Sequence, residues 1–214
     1  TDYQYLATDN IDVVICSNRS ANVKYSVYSS DVSSNTTRID LLEKKEKQKD
    51  VFCFTSLGVI GDSLASGASN IPLMDGTTGA HDAKEYSWGK YIEKEHGVAV
   101  SLYSEGGTST RSWFTKNACI GVFNSDSPLD CYCIGLGVND EYSLGESYLG
   151  SINDVHVGSE SNNADTYYGN YSKIIATIKA KSQYAKIFCL TNPRANTALK
   201  EEFNQAVRDI CELY

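Results

Sequence analysis

Four short apolar runs, separated by helical periodicities and by loops of small residues, constrain this chain more than any other feature of it. The first carries Leu57, Val59 and Ile60, the second runs from Val98 to Tyr103, the third from Asp130 to Leu136 and the fourth from Lys186 to Thr191. Runs this brief and this apolar suit strands covered on both faces, as in parallel sheets. Between them, Trp88, Tyr91 and Ile92 recur at helical spacing and stop at His96-Gly97, where a glycine suits the residue just past a helix. Tyr171, Ile174, Ile175 and Ile178 mark a further helix, and Leu199, Phe203, Val207 and Ile210 a last one. Such alternation predicts an α/β fold, a parallel sheet with helices on both faces and right-handed connections.

A chain of 214 residues buries one substantial core with at most a small appendage. Ile11, Val13 and Ile15, then Val23, Tyr25 and Val27, alternate with polar residues around Ser17 to Asn22. They read as the hairpin of an accessory sheet or the tail of an upstream β domain. A mixed-charge run, Glu43 to Lys49, follows as a solvated helix or linker. Residues 1–50 are therefore expected to form a small β extension with a charged linker, and 51–214 the α/β domain. Thr1 in place of an initiator and a single methionine, Met74, suggest a piece of a longer polypeptide.

The net charge of -8 argues against a nucleic-acid partner, which would need a clustered positive surface. No apolar run approaches the ~20 residues of a membrane-spanning helix. The seven cysteines are an odd set without C-x-x-C or histidine at metal spacing, and most sit in apolar runs. Buried reduced thiols are expected, with synthesis in a reducing compartment and neither metal nor cofactor.

Chemistry concentrates where the strands end. The first run empties into Gly61-Asp62-Ser63, the second into Gly106-Gly107-Thr108, and the third into Gly137-Val138-Asn139-Asp140. A hydroxyl nucleophile, a glycine N–H and a side-chain amide thus stand at separate strand ends, where open α/β sheets place their ligands. Acyl transfer from a serine needs donors aimed at the oxygen that becomes negative, and these groups supply them. Taken singly, Ser63 could be only a helix N-cap, Gly107 a turn residue and Asn139-Asp140 an Asx turn.

In that order, the three segments resemble the first three sequence blocks of the SGNH/GDSL hydrolase superfamily. The resemblance spans residues 57–140, and the helices and strand up to Tyr214 fit that family's flavodoxin-like α/β/α sandwich. It implies Ser63 as nucleophile and first oxyanion donor, Gly107 as second donor and Asn139 as third. Asp62 and Asp140 would hold the turns and, with Thr108 and Arg194, border the substrate. The family's base is a histidine three residues after an aspartate, beyond the last strand, and no Asp-x-x-His occurs here. His156, two residues after Asp154, and His81 are loop residues, and His96 suits a helix end. A missing C-terminal segment is the expected reason, because the Leu199–Ile210 helix would otherwise present a bare apolar side.

The expected activity is an acyl-serine ester hydrolase without metal. Thr77, Thr78, Thr108, Tyr142, Tyr148 and Arg194 around the site tilt the substrate towards an acylated glycan over a lipid. The alternative is a catalytically silent module of a larger extracellular or virion assembly, joined to other subunits through residues 1–50. A nucleotide binder is disfavoured by the absence of G-x-G-x-x-G and G-x-x-x-x-G-K-[ST].

Overall fold

Side chains along a strand point alternately to opposite faces, and that alternation divides this core in two. The computed structural model describes residues 13–16, 54–72, 78–192 and 197–214. Its main sheet is built from β1 (Val13–Cys16), β2 (Ser56–Gly61), β5 (Ala99–Ser104), β6 (Cys131–Gly135) and β7 (Lys186–Leu190), in the order β1-β7-β6-β2-β5. The four strands from β2 onwards are mutually parallel, and β1 adds antiparallel to β7. Helices lie on both sides of this sheet, as the strand and helix alternation predicts.

On one face Ile60, Tyr103, Tyr132, Ile134, Ile187 and Cys189 meet α2 (Thr110–Trp113), α3 (Val122–Ser125), α4 (Glu146–Leu149), α5 (Tyr167–Lys181) and α6 (Ala198–Leu213). On the other, Leu57, Val59, Val100, Leu102, Cys131 and Cys133 lie under Trp88 and Ile92 of α1 (Trp88–His96). Gly58 lies on the first face between two aromatic rings, because a Cβ there would stand 2.5 Å from Tyr132 and 2.8 Å from Tyr103. A glycine at that position lets the rings stack over the strand with centroids 6.3 Å apart.

The longer helices begin where the sequence offers a hydroxyl. Ser87 accepts from Lys90 N–H to start α1, Thr166 from Gly169 N–H to start α5, and Thr197 from Lys200 N–H to start α6. Gly97 closes α1, as its position in the sequence suggests. Cys119, Cys131, Cys133, Cys189 and Cys211 are all buried as free thiols. Burial pushes the Cys131 thiol up to about 12 and that of Cys133 higher still.

Several expectations need correction. Val13–Cys16 belongs to the main sheet and not to an accessory one, because its backbone satisfies the open edge of β7. The rest of the supposed extension and linker lies outside the described residues. His81, read from the sequence as a loop residue, lies on β4 (Thr78–Asp82), which pairs antiparallel with β3 (Ala68–Pro72) to form a hairpin. The polar segment 141–165 is wound into short helical turns, including α4. The apolar side of α6 is not bare: Phe203, Ala206, Val207 and Ile210 are buried in the larger core. Among the described residues, no helix is long and apolar enough to cross a membrane.

Candidate active site

The end of β2 turns sharply because Asp62 closes it from both sides. Its carbonyl accepts from the N–H groups of Ala65 and Ser66, at 3.1 and 2.9 Å. Its carboxylate accepts from Leu64 N–H at 2.9 Å. Ser63 is thereby carried to the rim, half-buried, beside an exposed Leu64. Among the described residues, neither the Ser63 hydroxyl nor its N–H has a hydrogen-bond partner.

The next loop leaves β5 as a turn over Glu105 to Thr108, closed by Thr108 N–H and Oγ1 on the Glu105 carbonyl at 3.2 and 2.6 Å. Gly107 occupies the left-handed region with φ 70°, exposed, in open space, where a side chain would strain the backbone. Its N–H also has no acceptor among the described residues. Two charged groups hold the neighbouring peptides. Gly106 N–H donates to Asp82 Oδ2 at 2.9 Å, and Lys116 Nζ donates to the Gly106 carbonyl at 2.7 Å and to Glu105 Oε1 at 2.9 Å. Asp82 also accepts from Ser66 Oγ at 2.5 Å, tying the hairpin to the turn that carries Ser63.

The third loop joins the other two. Asn139 Nδ2 donates to Asp62 Oδ2 at 3.2 Å and to the Thr108 carbonyl at 3.0 Å. Asp140, fully buried, accepts from Thr110 N–H at 2.9 Å and from its hydroxyl at 2.5 Å. From Thr110 a polar chain runs outward through Tyr148 and Asn170 to Asp165, which pairs with Arg111. The three strand ends that the sequence singles out are thus in contact.

Burial dominates the electrostatics. It raises the Asp140 carboxyl to about 6, against the lowering effect of the Thr110 donors, and neighbouring Asp62 adds to the rise. The Asp62 carboxyl is raised as well, chiefly by burial. Among the described residues no group of histidine, cysteine and carboxylate side chains is placed to hold a metal ion.

The strand ends that carry Ser63, Gly107 and Asn139 are joined through Asp62 and Thr108, with Ser63 and Asn139 half-buried and Gly107 exposed. Asp62, Thr108 and Asp140, expected to border a substrate, are instead fully buried and engaged in holding the turns. Of the remaining residues expected to line the site, Tyr148 is buried, Tyr142 is exposed on the turn after Asn139, and Thr77 and Arg194 lie outside the described residues. His81 is exposed on β4 and His156 is exposed before α5, while His96 ends α1 near the start of β5, at the opposite end of the sheet from Ser63. Sequence reasoning missed Asp82 and Lys116. Both act through backbone atoms of a distant turn, and residue spacing carries no sign of that.

No protein-family model matches the sequence, and no curated protein matches it. Solved structures do resemble it. A protein assigned as a GDSL-like lipase from Bacteroides uniformis ATCC 8492 superposes with a TM-score of 0.54 at 17% identity, over 75% of this chain and 80% of that one. A family two carbohydrate esterase from Clostridium thermocellum, solved with cellohexaose, gives 0.51 at 12% identity, over 72% of this chain and 48% of that one. The fold is that of the SGNH/GDSL hydrolases.

Proposed function

On a fold of the SGNH/GDSL type, we propose that this chain is a serine-dependent ester hydrolase acting through an acyl-Ser63 intermediate. The observation that carries the reading is a pair of backbone donors without acceptors among the described residues, Ser63 N–H and Gly107 N–H, at strand ends joined by the Asn139 amide. In the reaction Ser63 Oγ bonds to the ester carbonyl carbon while the π pair moves onto oxygen. The proton of Oγ passes to a base, the place that the SGNH/GDSL resemblance gives to a histidine, and returns from it to the alcohol as the tetrahedral intermediate expels it. Water then repeats the sequence on the acyl-serine and releases the acid. The donors act on the oxyanion, where removal of one typically costs about 3 to 4 kcal/mol of barrier. Asn139 would join them by releasing its longer bond, the one to Asp62. Tyr142 supports a sugar-bearing alcohol, since an exposed aromatic face stacks on apolar ring surface.

A silent binding module is the second reading. It draws on the same amide, whose two hydrogens are both committed to the protein. Two measurements separate the readings. A fluorophosphonate probe should label the chain at Ser63, and Ser63→Ala should abolish both labelling and hydrolysis of p-nitrophenyl acetate. Hydrolysis that survives the substitution would remove Ser63 as nucleophile, and a chain inert to both reagents favours the silent module.

A further inference from the structure

We propose that Lys116 is a positioning residue for the oxyanion donor at Gly107, a role that rests on the acyl-Ser63 reading. The argument begins with the peptide unit that joins Gly106 to Gly107. In a trans peptide the carbonyl and the N–H point in opposite directions, so fixing one fixes the other. The carbonyl of this unit is the Gly106 oxygen, held by the Lys116 ammonium at 2.7 Å. Its N–H is that of Gly107, which is therefore directed away from Lys116 and has no acceptor among the described residues.

Such a lock is needed at this place. Gly107 has open space around its α-carbon, and Gly106 is also a glycine, so side chains do little to stop the intervening peptide from rotating. Asp82 holds only the preceding unit, through Gly106 N–H. Lys116 is itself well placed to hold the next one. Its N–H donates to the Ser112 carbonyl at 3.1 Å just after α2, and its ammonium is braced by Glu105 at 2.9 Å with the side chain 22% exposed. A cation on the carbonyl also draws electron density through the amide, which strengthens the N–H as a donor to a developing negative charge.

The test uses the whole chain with Lys116→Met, which keeps the stem and removes the charge, and Lys116→Arg, which restores a donor. On p-nitrophenyl acetate, Lys116→Met should lower kcat by about ten- to a hundred-fold with KM within about two-fold, and Lys116→Arg should recover part of it. A change confined to KM, or an unchanged kcat, overturns the proposal. Independently of turnover, the one-bond residual dipolar coupling of the Gly107 N–H should change in Lys116→Met while couplings across α5 and α6 stay as in the parent protein. An unchanged Gly107 coupling overturns the proposal even if the ester is hydrolysed. A changed coupling in a protein that hydrolyses no ester upholds the positioning and counts against the acyl-Ser63 reading instead.

Discussion

The two faces of the sheet are built from the same strands and solve different problems. One is thick: Trp113, Tyr103, Tyr132, Tyr167 and Tyr171 are all fully buried there beneath several helices. The other is thin, a small group of aliphatic side chains and cysteines whose helical cover among the described residues is α1. Large rings on the thick face carry polar tips that must be satisfied, and they are: Trp113 Nε1 donates to the Tyr103 carbonyl and Tyr167 OH to the Leu136 carbonyl, both at 3.2 Å. The Leu136 carbonyl is only three positions from Asn139, so the thick face also braces the loop that carries the amide. The Ser63 turn leads instead into the β3 and β4 hairpin and on to α1. The Asn139 loop is thus braced from the thick face, while the hairpin holds the Ser63 turn and, through Asp82, the Gly106-Gly107 loop as well.

Truncation separates the faces most strongly. Trp113→Ala should cost about 4 kcal/mol, because a fully buried ring and its hydrogen bond are lost together. Leu102→Ala on the thin face should cost about 2 to 3 kcal/mol, since α1 alone is left to settle into the space. Chemical denaturation of the two variants checks the order, and equal losses would break the comparison.

A pH series comes next. The folded Asp140 carboxyl is harder to ionise than the unfolded one, about 6 against 3.8. The stability it lends is fully present below the unfolded value and is lost as pH rises through about 6, a change on the order of 3 kcal/mol. Glu93 of α1, over the thin face, has the opposite sign. Its hydrogen bond from Lys90, and then that from Val100 N–H, lower its carboxyl, so its contribution is present above the unfolded value and lost as pH falls. Urea midpoints measured from acid to neutral pH should flatten in Asp140→Asn and not in Glu93→Gln.

The smallest effect concerns Ser104, which by alternation joins Leu102 on the thin side. Its hydroxyl is buried and has no hydrogen-bond partner among the described residues. Ser104→Ala should therefore stabilise the protein by about 1 kcal/mol, and a loss of stability would mean that the hydroxyl serves a partner.

Much of this was legible in the residues. The four parallel strands follow from short apolar runs, and the contact between their small-residue ends follows because parallel connectivity returns every strand in the same direction. The partner of β1 was not legible. Alternation marks Val13 and Ile15 as strand residues, but edge pairing is a backbone affair that side-chain pattern does not specify. The hairpin of β3 and β4 was hidden for a related reason: its strands are made mostly of small and polar residues and carry no apolar alternation. Burial of Asp62 and Asp140 was equally hidden, since a carboxylate beside a candidate nucleophile looks the same in sequence whether it faces ligand or core.

The pairing of β1 with β7 has a consequence for how the protein is made. Val13 is paired across the sheet with Leu190, so β1, which leaves the ribosome before β7, must wait for it. Synthesis alone cannot finish this sheet as it proceeds. The final pairing closes a very long loop and cannot form before β7 has emerged, which places it among the slow steps of folding.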